Sequence, residues 1–334
     1  MRDNRPVLCC PDKFRGSLRA DEAAAAFARG VERTGRPARV LPLADGGEGT
    51  LAVLCPDPVD VRVARVTGPL GGPVEAAWGL RDGTAVVESA QASGLALVDG
   101  ANDPLAATTR GTGELIRFAL DAGAHRVIVA AGGTATVDGG LGALEALELD
   151  LGADVLVACD VETTFVDAAR VFGPQKGADA STVAALEERL ERLADRYRDE
   201  LGLDIRALPG SGAAGGLAGG LAALGASLRP GAELVAEAVG LDAALAECSQ
   251  AITGEGRFDA TSRAGKVVDH VLGRARAARI PAAIVAGDAD DAAVAALPRG
   301  VPCVTLVSLA GATGDPLRDA ASLAADAAAT VAGG

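Results

Sequence analysis

Five short glycine-rich polar segments interrupt this chain, and each follows or adjoins an apolar run typical of a β-strand. They are residues 12–18, 44–50, 132–140, 172–177 and 253–259. Glycine lets backbone N–H groups approach a ligand closely, and a loop leading from a strand into a helix carries partial positive charge that suits anions. Because these loops also hold Asp, Glu, Lys, Ser and Thr, they predict one composite site for a phosphorylated, Mg²⁺-bound ligand.

Strand-like and helix-like runs alternate at both ends of the chain. Residues 7–10 and 39–42 are predicted strands, and residues 19–33 between them repeat apolar side chains at helical spacing. The alternation returns in the last third, beginning with a strand at residues 250–253 and including another at 303–308. Both ends are therefore expected to contribute parallel βαβ units to one sheet.

The middle of the chain has a different rhythm. Residues 61–66 and 74–80 are short, rich in Val and Ala, and joined by a segment of Gly and Pro, which predicts an antiparallel pair. The fold class is therefore α/β with two domains. A discontinuous Rossmann-like parallel-sheet domain, residues 1–64 and 228–334, is interrupted by an inserted mixed α/β domain, residues 65–227.

Composition excludes several classes of function. Apolar residues make up 49% of the chain and aromatics only 2%, so the core must be aliphatic. The net charge is −14 and no Lys/Arg cluster stands out, which disfavours nucleic acid and anionic membranes as partners. With no apolar stretch of membrane-spanning length and no signal-peptide pattern, we expect a cytoplasmic protein.

The cysteines and histidines narrow the chemistry further. The six cysteines form no CxxC pair and most lie in or beside apolar runs, so buried free thiols are expected rather than disulfides or zinc ligands. The only histidines, His125 and His270, are too few for a histidine-based metal site and disfavour a histidine general base.

The first polar segment follows the first strand, where residues of an open α/β sheet face the ligand crevice. Lys13 is suited to pair with a phosphate or carboxylate, and Ser17 to offer a hydroxyl. The alternative is a helix N-terminus with Ser17 near the cap.

The second segment places Asp45 and Glu48 among glycines. Carboxylate oxygens suit Mg²⁺, and Gly46 and Gly47 allow backbone N–H groups to approach a phosphate. The alternative is a tight turn with solvated acids.

The third segment holds Thr134, Thr136 and Asp138 between glycine pairs that can form an anion-binding nest. Asp138 is suited to act as a general base toward a hydroxyl or as a metal ligand. Asp160 directly follows the predicted strand at residues 155–159 and is a second carboxylate at a strand end.

Two further segments supply cations. Lys176 lies in a glycine-flanked turn, and Glu255 and Arg257 follow the predicted strand at residues 250–253. Arg257 is suited to clamp a carboxylate or neutralise phosphate charge. The alternatives are a surface lysine and a solvated loop ion pair.

Residues 210–215 match the pattern GxGxxG, but the preceding Ala207-Leu208-Pro209 makes a poor strand. The βαβ context of a nicotinamide site is therefore missing. A phosphate-binding loop and a loop for close packing both remain open.

Taken together, the segments resemble those of the bacterial class I glycerate kinases. The similar segments occur in the family's order: residues 12–18, 42–50, 92–95, 108–115, 132–140, 158–161, 171–177, 209–216, 229–240 and 252–266. The resemblance implies ATP-dependent phosphorylation of D-glycerate with Mg²⁺, giving 2-phosphoglycerate. It also implies two α/β domains with the active cleft between them.

Within that resemblance, Asp138 or Asp160 is the expected base, Lys13 completes the catalytic group, and Asp45 and Glu48 are expected to bind the metal. The residues expected to bind substrate or phosphate are Ser17, Gly46, Gly47, Thr134, Thr136, Lys176, Glu255 and Arg257.

The chain departs from the family's pattern at three places. Val137 stands where the family usually has Asn, and the segments 140–155 and 160–171 are shortened. Two alternatives follow: a kinase of another small hydroxy acid, or a non-catalytic nucleotide- or metabolite-binding protein of the same fold. We expect small-molecule partners only, in a monomer or homodimer.

Overall fold

A computed structural model of the chain describes residues 4–263, 265–311 and 314–333. The strands are β1 (Val7–Cys9), β2 (Ala38–Val40), β3 (Val61–Thr67), β4 (Pro73–Arg81), β5 (Thr84–Glu88), β6 (Arg126–Ala130), β7 (Asp154–Ala158), β8 (Ser227–Arg229), β9 (Gln250–Phe258), β10 (Ala282–Ala289) and β11 (Cys303–Thr305). The α-helices are α1 (Ala20–Arg33), α2 (Thr50–Leu54), α3 (Ser89–Ser93), α4 (Arg110–Asp121), α5 (Leu141–Ala146), α6 (Asp167–Phe172), α7 (Ala180–Leu201), α8 (Leu217–Ala223), α9 (Gly231–Ala238), α10 (Leu241–Ala246), α11 (Val267–Ala277), α12 (Asp291–Ala295), α13 (Leu306–Ala310) and α14 (Ala320–Gly333).

The chain divides into two compact units, one formed by the residues up to Asp45 and from Ala232 onward, the other by Gly46–Gly231. The sequence placed the first division at residue 64, later than the structure does. The reason is packing: Leu51 and Cys55 are buried against Val86 of β5, and β3 pairs with β4. Residues 46–64 therefore belong to the inserted unit.

The first unit is built on a parallel sheet of strand order β11-β10-β9-β1-β2, which confirms the predicted Rossmann-like sheet. Its core is aliphatic, with Phe14 and Phe27 as an edge-to-face pair among valines and alanines. Helices α1 and α14 pack closely because Gly30 has no side chain: a Cβ there would lie 2.0 Å from Ala325 O.

One predicted loop of this unit is wrong. The segment 253–259 was expected to follow a strand, but β9 continues to Phe258 in parallel pairing with β10. The glycines there serve close backbone approach inside the sheet. A Cβ on Gly254 would lie 1.9 Å from Val285 O, and one on Gly256 would lie 2.8 Å from Arg15 N.

The second unit contains a mixed sheet of order β3-β4-β5-β6-β7-β8. Strands β3, β4 and β5 are antiparallel, as predicted for the pair at 61–66 and 74–80, and β5 to β8 are parallel. Aliphatic side chains dominate its core, with Trp78, Phe165 and Tyr197 the aromatic members. The carboxyl ends of β5, β6 and β7 lie side by side in this sheet.

All six cysteines lie within the described residues and have free thiols, as expected. Across the described ranges, none of the helices combines the length and apolar character that a bilayer crossing requires.

Candidate active site

In the first unit, polar side chains gather where β1 ends. Lys13 follows that strand, and its Nζ donates to Asp45 Oδ1 at 3.1 Å. Asp12 lies beside them, and its carboxyl interacts electrostatically with both Asp45 and Glu255. The structure thus brings together Lys13, Asp45 and Glu255 of the predicted site, together with Asp12.

Burial dominates the electrostatics of this group. Burial, together with the nearby carboxylate of Asp45, raises the pKa of Asp12 to about 7, and burial raises the pKa of Glu255 to about 7 as well. Burial lowers the pKa of Lys13, but the carboxylates of Asp12 and Asp45 outweigh it and raise that pKa.

The raised pKa values of Asp12 and Glu255 make the stability of the fold depend on pH in one direction. Protonated Asp12 and Glu255 stabilise the fold below their ordinary pKa, near 4, and this contribution is lost as the pH rises through about 7. At neutral pH and above, a cation placed beside these carboxylates would relieve the repulsion between them.

Two other predicted residues of this unit have ordinary structural partners. Ser17 Oγ donates to Phe14 O at 3.2 Å within a turn. Arg257 Nη2 donates to Asp290 Oδ1 at 2.8 Å, and its side chain is 62% exposed. The N-cap of α1 is Arg19 rather than Ser17, and the Arg257 ion pair lies in β9 rather than in a loop.

In the second unit, the Gly46–Gly49 loop is held on the end of β5. Glu88 Oε1 accepts hydrogen bonds from Gly49 N at 2.9 Å and from Leu51 N at 2.8 Å. Gly46 has a positive φ of 86°, and a Cβ there would lie 2.5 Å from Gly231 Cα. Glu48 lies on the exposed side of the same loop.

A second glycine loop follows β6. Ser89 Oγ lies 2.9 Å from Ala130 O and 3.0 Å from Gly132 O, and it accepts from Gly132 N at 3.2 Å. Gly133 is exposed, whereas Thr134 and the residues that follow it are buried. Asp160, just beyond β7, is exposed and its Oδ1 accepts from Gly231 N at 2.9 Å.

Asp138 is buried and saturated with donors. Its Oδ2 accepts from Thr109 N at 2.8 Å, Thr109 Oγ1 at 2.9 Å and Gly142 N at 3.3 Å, and its Oδ1 accepts from Gly140 N at 3.2 Å. Helices α4 and α5 begin directly after Thr109 and Gly140. The carboxylate therefore binds orphan N–H groups at two helix N-termini, where negative charge is favoured.

Lys176 is only 5% exposed and points inward. Its Nζ donates to Thr134 Oγ1 at 3.1 Å and to Thr136 O at 2.7 Å. Burial lowers its pKa to about 8, against the opposing effect of Asp138. The structure thus brings Lys176, Thr134, Thr136 and Asp138 together beneath the loop surface.

The glycine-rich segment at residues 210–216 packs against this same loop. A Cβ on Gly215 would lie 1.9 Å from Thr136 O, and Gly139 N donates to Gly215 O at 3.0 Å. The whole segment is buried, so the close-packing alternative describes it and the phosphate-binding one does not. Val137 is fully buried in the core, so its side chain does not reach the surface of the loop.

Sequence reasoning missed three functional candidates: Glu88, Ser89 and Thr109. Glu88 ends β5 and Ser89 begins α3. A polar pair directly after the apolar run of Ala85, Val86 and Val87 was the available signal. Thr109 lies in the family-like segment 108–115, but its bond to Asp138 could not be foreseen because the two residues are distant in the chain.

No group of three or more His, Cys, Asp or Glu side chains in the described part of the chain is arranged to hold a metal ion. Magnesium is usually held by one or two carboxylates together with substrate phosphates, so such a group is not required. Glu255 Oε1 is buried and without a hydrogen-bond partner among the described residues. That oxygen and the carboxylate of Asp45, which belong to the same unit, are hard donors of the kind that suits Mg²⁺.

Comparisons with known proteins show which family the chain is similar to. A model of the glycerate kinase family matches residues 7–152 and 150–333. The glycerate 2-kinase of Escherichia coli K12 is 39% identical, over 85% of this chain and 86% of that protein. The glycerate kinase of Bacillus subtilis 168 is also 39% identical, over 96% and 94%.

Among solved structures, a protein from Salmonella typhimurium LT2 described as a candidate glycerate kinase 2 superposes with a TM-score of 0.86. It is 34% identical, and the match covers 99% of this chain and 98% of that one. These matches confirm the resemblance drawn from the ordered segments.

Proposed function

Because the chain belongs to the glycerate kinase family, we propose that it transfers the γ-phosphoryl group of ATP to the 2-hydroxyl of D-glycerate, with Mg²⁺. The product is 2-phosphoglycerate. The choice of the 2-hydroxyl draws on the Escherichia coli relative, which is named a glycerate 2-kinase.

The observation that carries the proposal is the set of polar groups at the carboxyl ends of β5, β6 and β7. Two glycine loops, Gly46–Gly49 and the one after β6, present backbone there, and Asp160 adds an exposed carboxylate. Phosphoryl transfer depends on positioning and charge neutralisation more than on covalent chemistry. Such an edge supplies both a fixed backbone and a proton acceptor.

We assign the general base to Asp160 rather than Asp138. A base must be accessible to the substrate hydroxyl. Asp160 is exposed, whereas Asp138 is 5% exposed and accepts four hydrogen bonds from Thr109, Gly140 and Gly142. Asp138 then acts by holding the N-termini of α4 and α5 in place.

Lys13 is the cation that we assign to the triphosphate. It is only partly exposed, and the carboxylates of Asp12 and Asp45 keep it protonated. Asp45 and Glu48 would hold Mg²⁺, which when bound neutralises phosphate charge. Lys176 supports the loop from below, through its bonds to Thr134 and Thr136.

The 2-hydroxyl is the better-positioned acceptor for a physical reason. If Arg257, whose side chain is 62% exposed, clamps the carboxylate of glycerate, the adjacent 2-hydroxyl is held at a fixed short distance from the guanidinium group. The 3-hydroxyl lies on a freely rotating arm and needs a partner of its own. Orientation of this kind lowers the activation free energy by several kcal/mol.

The test is ADP release measured with D-glycerate, L-glycerate and a panel of small hydroxy acids. The product is then passed to enolase without phosphoglycerate mutase. Direct formation of phosphoenolpyruvate supports the proposal, whereas a product that needs the mutase shows transfer to the 3-hydroxyl. Preference for another acid would favour the alternative acceptor, and nucleotide binding without any turnover would favour a binding protein.

Chelation provides a second test of the metal assignment. EDTA is expected to abolish turnover without lowering the melting temperature, because the described residues hold no structural cluster of metal ligands. A large fall in melting temperature with EDTA would contradict a substrate-borne Mg²⁺.

A further inference from the structure

Glu88 is a buried carboxylate, 3% exposed, at the carboxyl end of β5. We infer that Glu88 is a positioning residue of the kinase reaction, which holds the Gly46–Gly49 loop in the geometry that phosphoryl transfer needs. The inference rests on the proposed function, but part of its test does not depend on turnover.

The loop has a local support in Thr50, whose Oγ1 donates to Gly47 O at 2.7 Å, but the start of the helix that follows it lacks a side-chain cap of its own. Helix α2 has only five residues, and its N-cap Gly49 has a φ of 97° and no side chain to cap the helix. Short helices are unstable alone, and their first N–H groups need partners. Glu88 supplies the partner from another element, since one of its oxygens accepts from both Gly49 N and Leu51 N.

The neighbouring residue acts in the same way on the other glycine loop. Ser89 binds the Gly132 peptide through its hydroxyl, and Gly132 lies close to Gly47: a Cβ built on Gly132 would be 3.8 Å from Gly47 Cα. The end of β5 therefore sets the position of two glycine loops relative to one another.

The burial of Glu88 also needs an explanation. Burying a carboxylate costs free energy of folding unless the carboxylate is hydrogen-bonded. An apolar side chain at this position would avoid that cost, so the carboxylate is expected to have a specific task. Its geometry, with a single oxygen serving two backbone donors, is what a loop anchor requires.

Two conservative substitutions separate position from charge. Glu88→Gln keeps the length of the side chain and an oxygen that accepts both N–H groups, but it removes the charge. Glu88→Asp keeps the charge but withdraws the oxygen by one methylene. A positioning role predicts that Glu88→Gln retains most of the activity, whereas Glu88→Asp lowers kcat/KM by about 10²-fold, as a misplacement near 1 Å does.

Amide hydrogen exchange at Gly49 and Leu51 measures how firmly these two N–H groups are held, and it does not depend on turnover. We expect faster exchange in Glu88→Asp and near-normal exchange in Glu88→Gln. If Glu88→Asp leaves this exchange unchanged, Glu88 does not hold the loop and the inference fails, whatever the activity. Inactivity of the unsubstituted protein would instead defeat the proposed function.

Glu114→Asp is the matched control. Glu114 belongs to the same unit and likewise accepts from a backbone group, Thr67 N, at 2.7 Å, as well as from Thr67 Oγ1 at 2.9 Å. Shortening this side chain by one methylene in Glu114→Asp should leave kcat/KM near the value of the unsubstituted protein. The reverse order of the Glu88 variants, with Asp active and Gln inactive, would show that the charge acts and would overturn the positioning role.

Discussion

Two carboxylates that look alike in sequence have opposite surroundings in the fold. Asp138 and Asp160 both follow parallel strands, yet Asp138 is enclosed by four donors and Asp160 is exposed at the strand end. Environment, not residue type, decides which carboxylate can accept a proton from a substrate.

Substituting each carboxylate by its amide should separate the two roles. Asp160→Asn is expected to lower kcat by about 10²–10⁴-fold with little change in melting temperature, as loss of a general base does. Asp138→Asn should lower the free energy of unfolding by roughly 1–3 kcal/mol, because an amide NH₂ then faces N–H donors. Steady-state kinetics and thermal melts check both. A stable, inactive Asp138→Asn beside an active Asp160→Asn would reverse the assignment.

Lys176 gives a prediction for pH. Its pKa is lowered by burial from 10.5 to about 8, so the folded chain binds fewer protons than the unfolded chain between these values. Lys176 therefore costs stability below about pH 8, and the cost shrinks as the pH rises toward 10.5, by up to about 1.4 kcal/mol per pH unit.

Lys176→Met removes this dependence. Denaturant unfolding of both proteins at several pH values from 7 to 9.5 should show the unsubstituted protein gaining free energy of unfolding relative to the variant as the pH rises. A constant difference across this range would mean that Lys176 does not titrate there. A loss of kcat in Lys176→Met without loss of stability would support its role beneath the Thr134–Thr136 loop.

At the scale of elements, similar glycine motifs perform different tasks. The Gly46–Gly49 loop lies at a strand end, Gly254 and Gly256 lie within β9, and Gly215 packs against the backbone of another loop. The common property is close backbone approach, which glycine permits in any of these settings. A glycine motif in the sequence therefore predicts close backbone approach, but it does not show whether a ligand or another part of the protein makes that approach.

Gly215→Ala should be strongly destabilising, on the order of 3 kcal/mol or more, because the added Cβ would lie 1.9 Å from Thr136 O and the φ is 68°. Gly202→Ala is the control: its φ is 81°, but nothing lies within 4 Å of the added Cβ. It should cost only the left-handed backbone strain, about 1–2 kcal/mol. Chemical denaturation measures both, and equal losses would mean that strain, not the steric contact, sets the cost.

At the scale of the molecule, each compact unit has its own sheet and core. The Gly46–Gly231 unit is continuous in sequence and contains all six strands of its sheet. The other unit is discontinuous: β1 and β2 come from before the insertion, whereas β9, β10 and β11 come from after it.

We therefore expect a fragment spanning residues 46–231 to fold alone and unfold cooperatively, whereas a fragment of residues 232–334 should not fold, because its sheet lacks β1 and β2. Circular dichroism during thermal unfolding of each fragment tests this. Absence of a cooperative transition in the 46–231 fragment would contradict it.

The sequence alone determined the α/β class, the antiparallel pair at β3 and β4, the aliphatic cores and the family. These follow from apolar periodicity, composition and the order of short motifs, which are local properties of the chain. It also located the loops around Asp45 and Asp138 and the strand-end carboxylate Asp160.

Only the tertiary structure decided which polar side chains are accessible. Asp138 and Lys176 are buried by partners distant in sequence, such as Thr109 and Gly215, whose loops pack on theirs. Strand β9 extends through a glycine motif because β10 pairs with it along that length. Glu88 becomes an anchor only because residues 49–51 fold back onto β5. Burial and hydrogen-bond partners depend on contacts between remote segments, which no local pattern encodes.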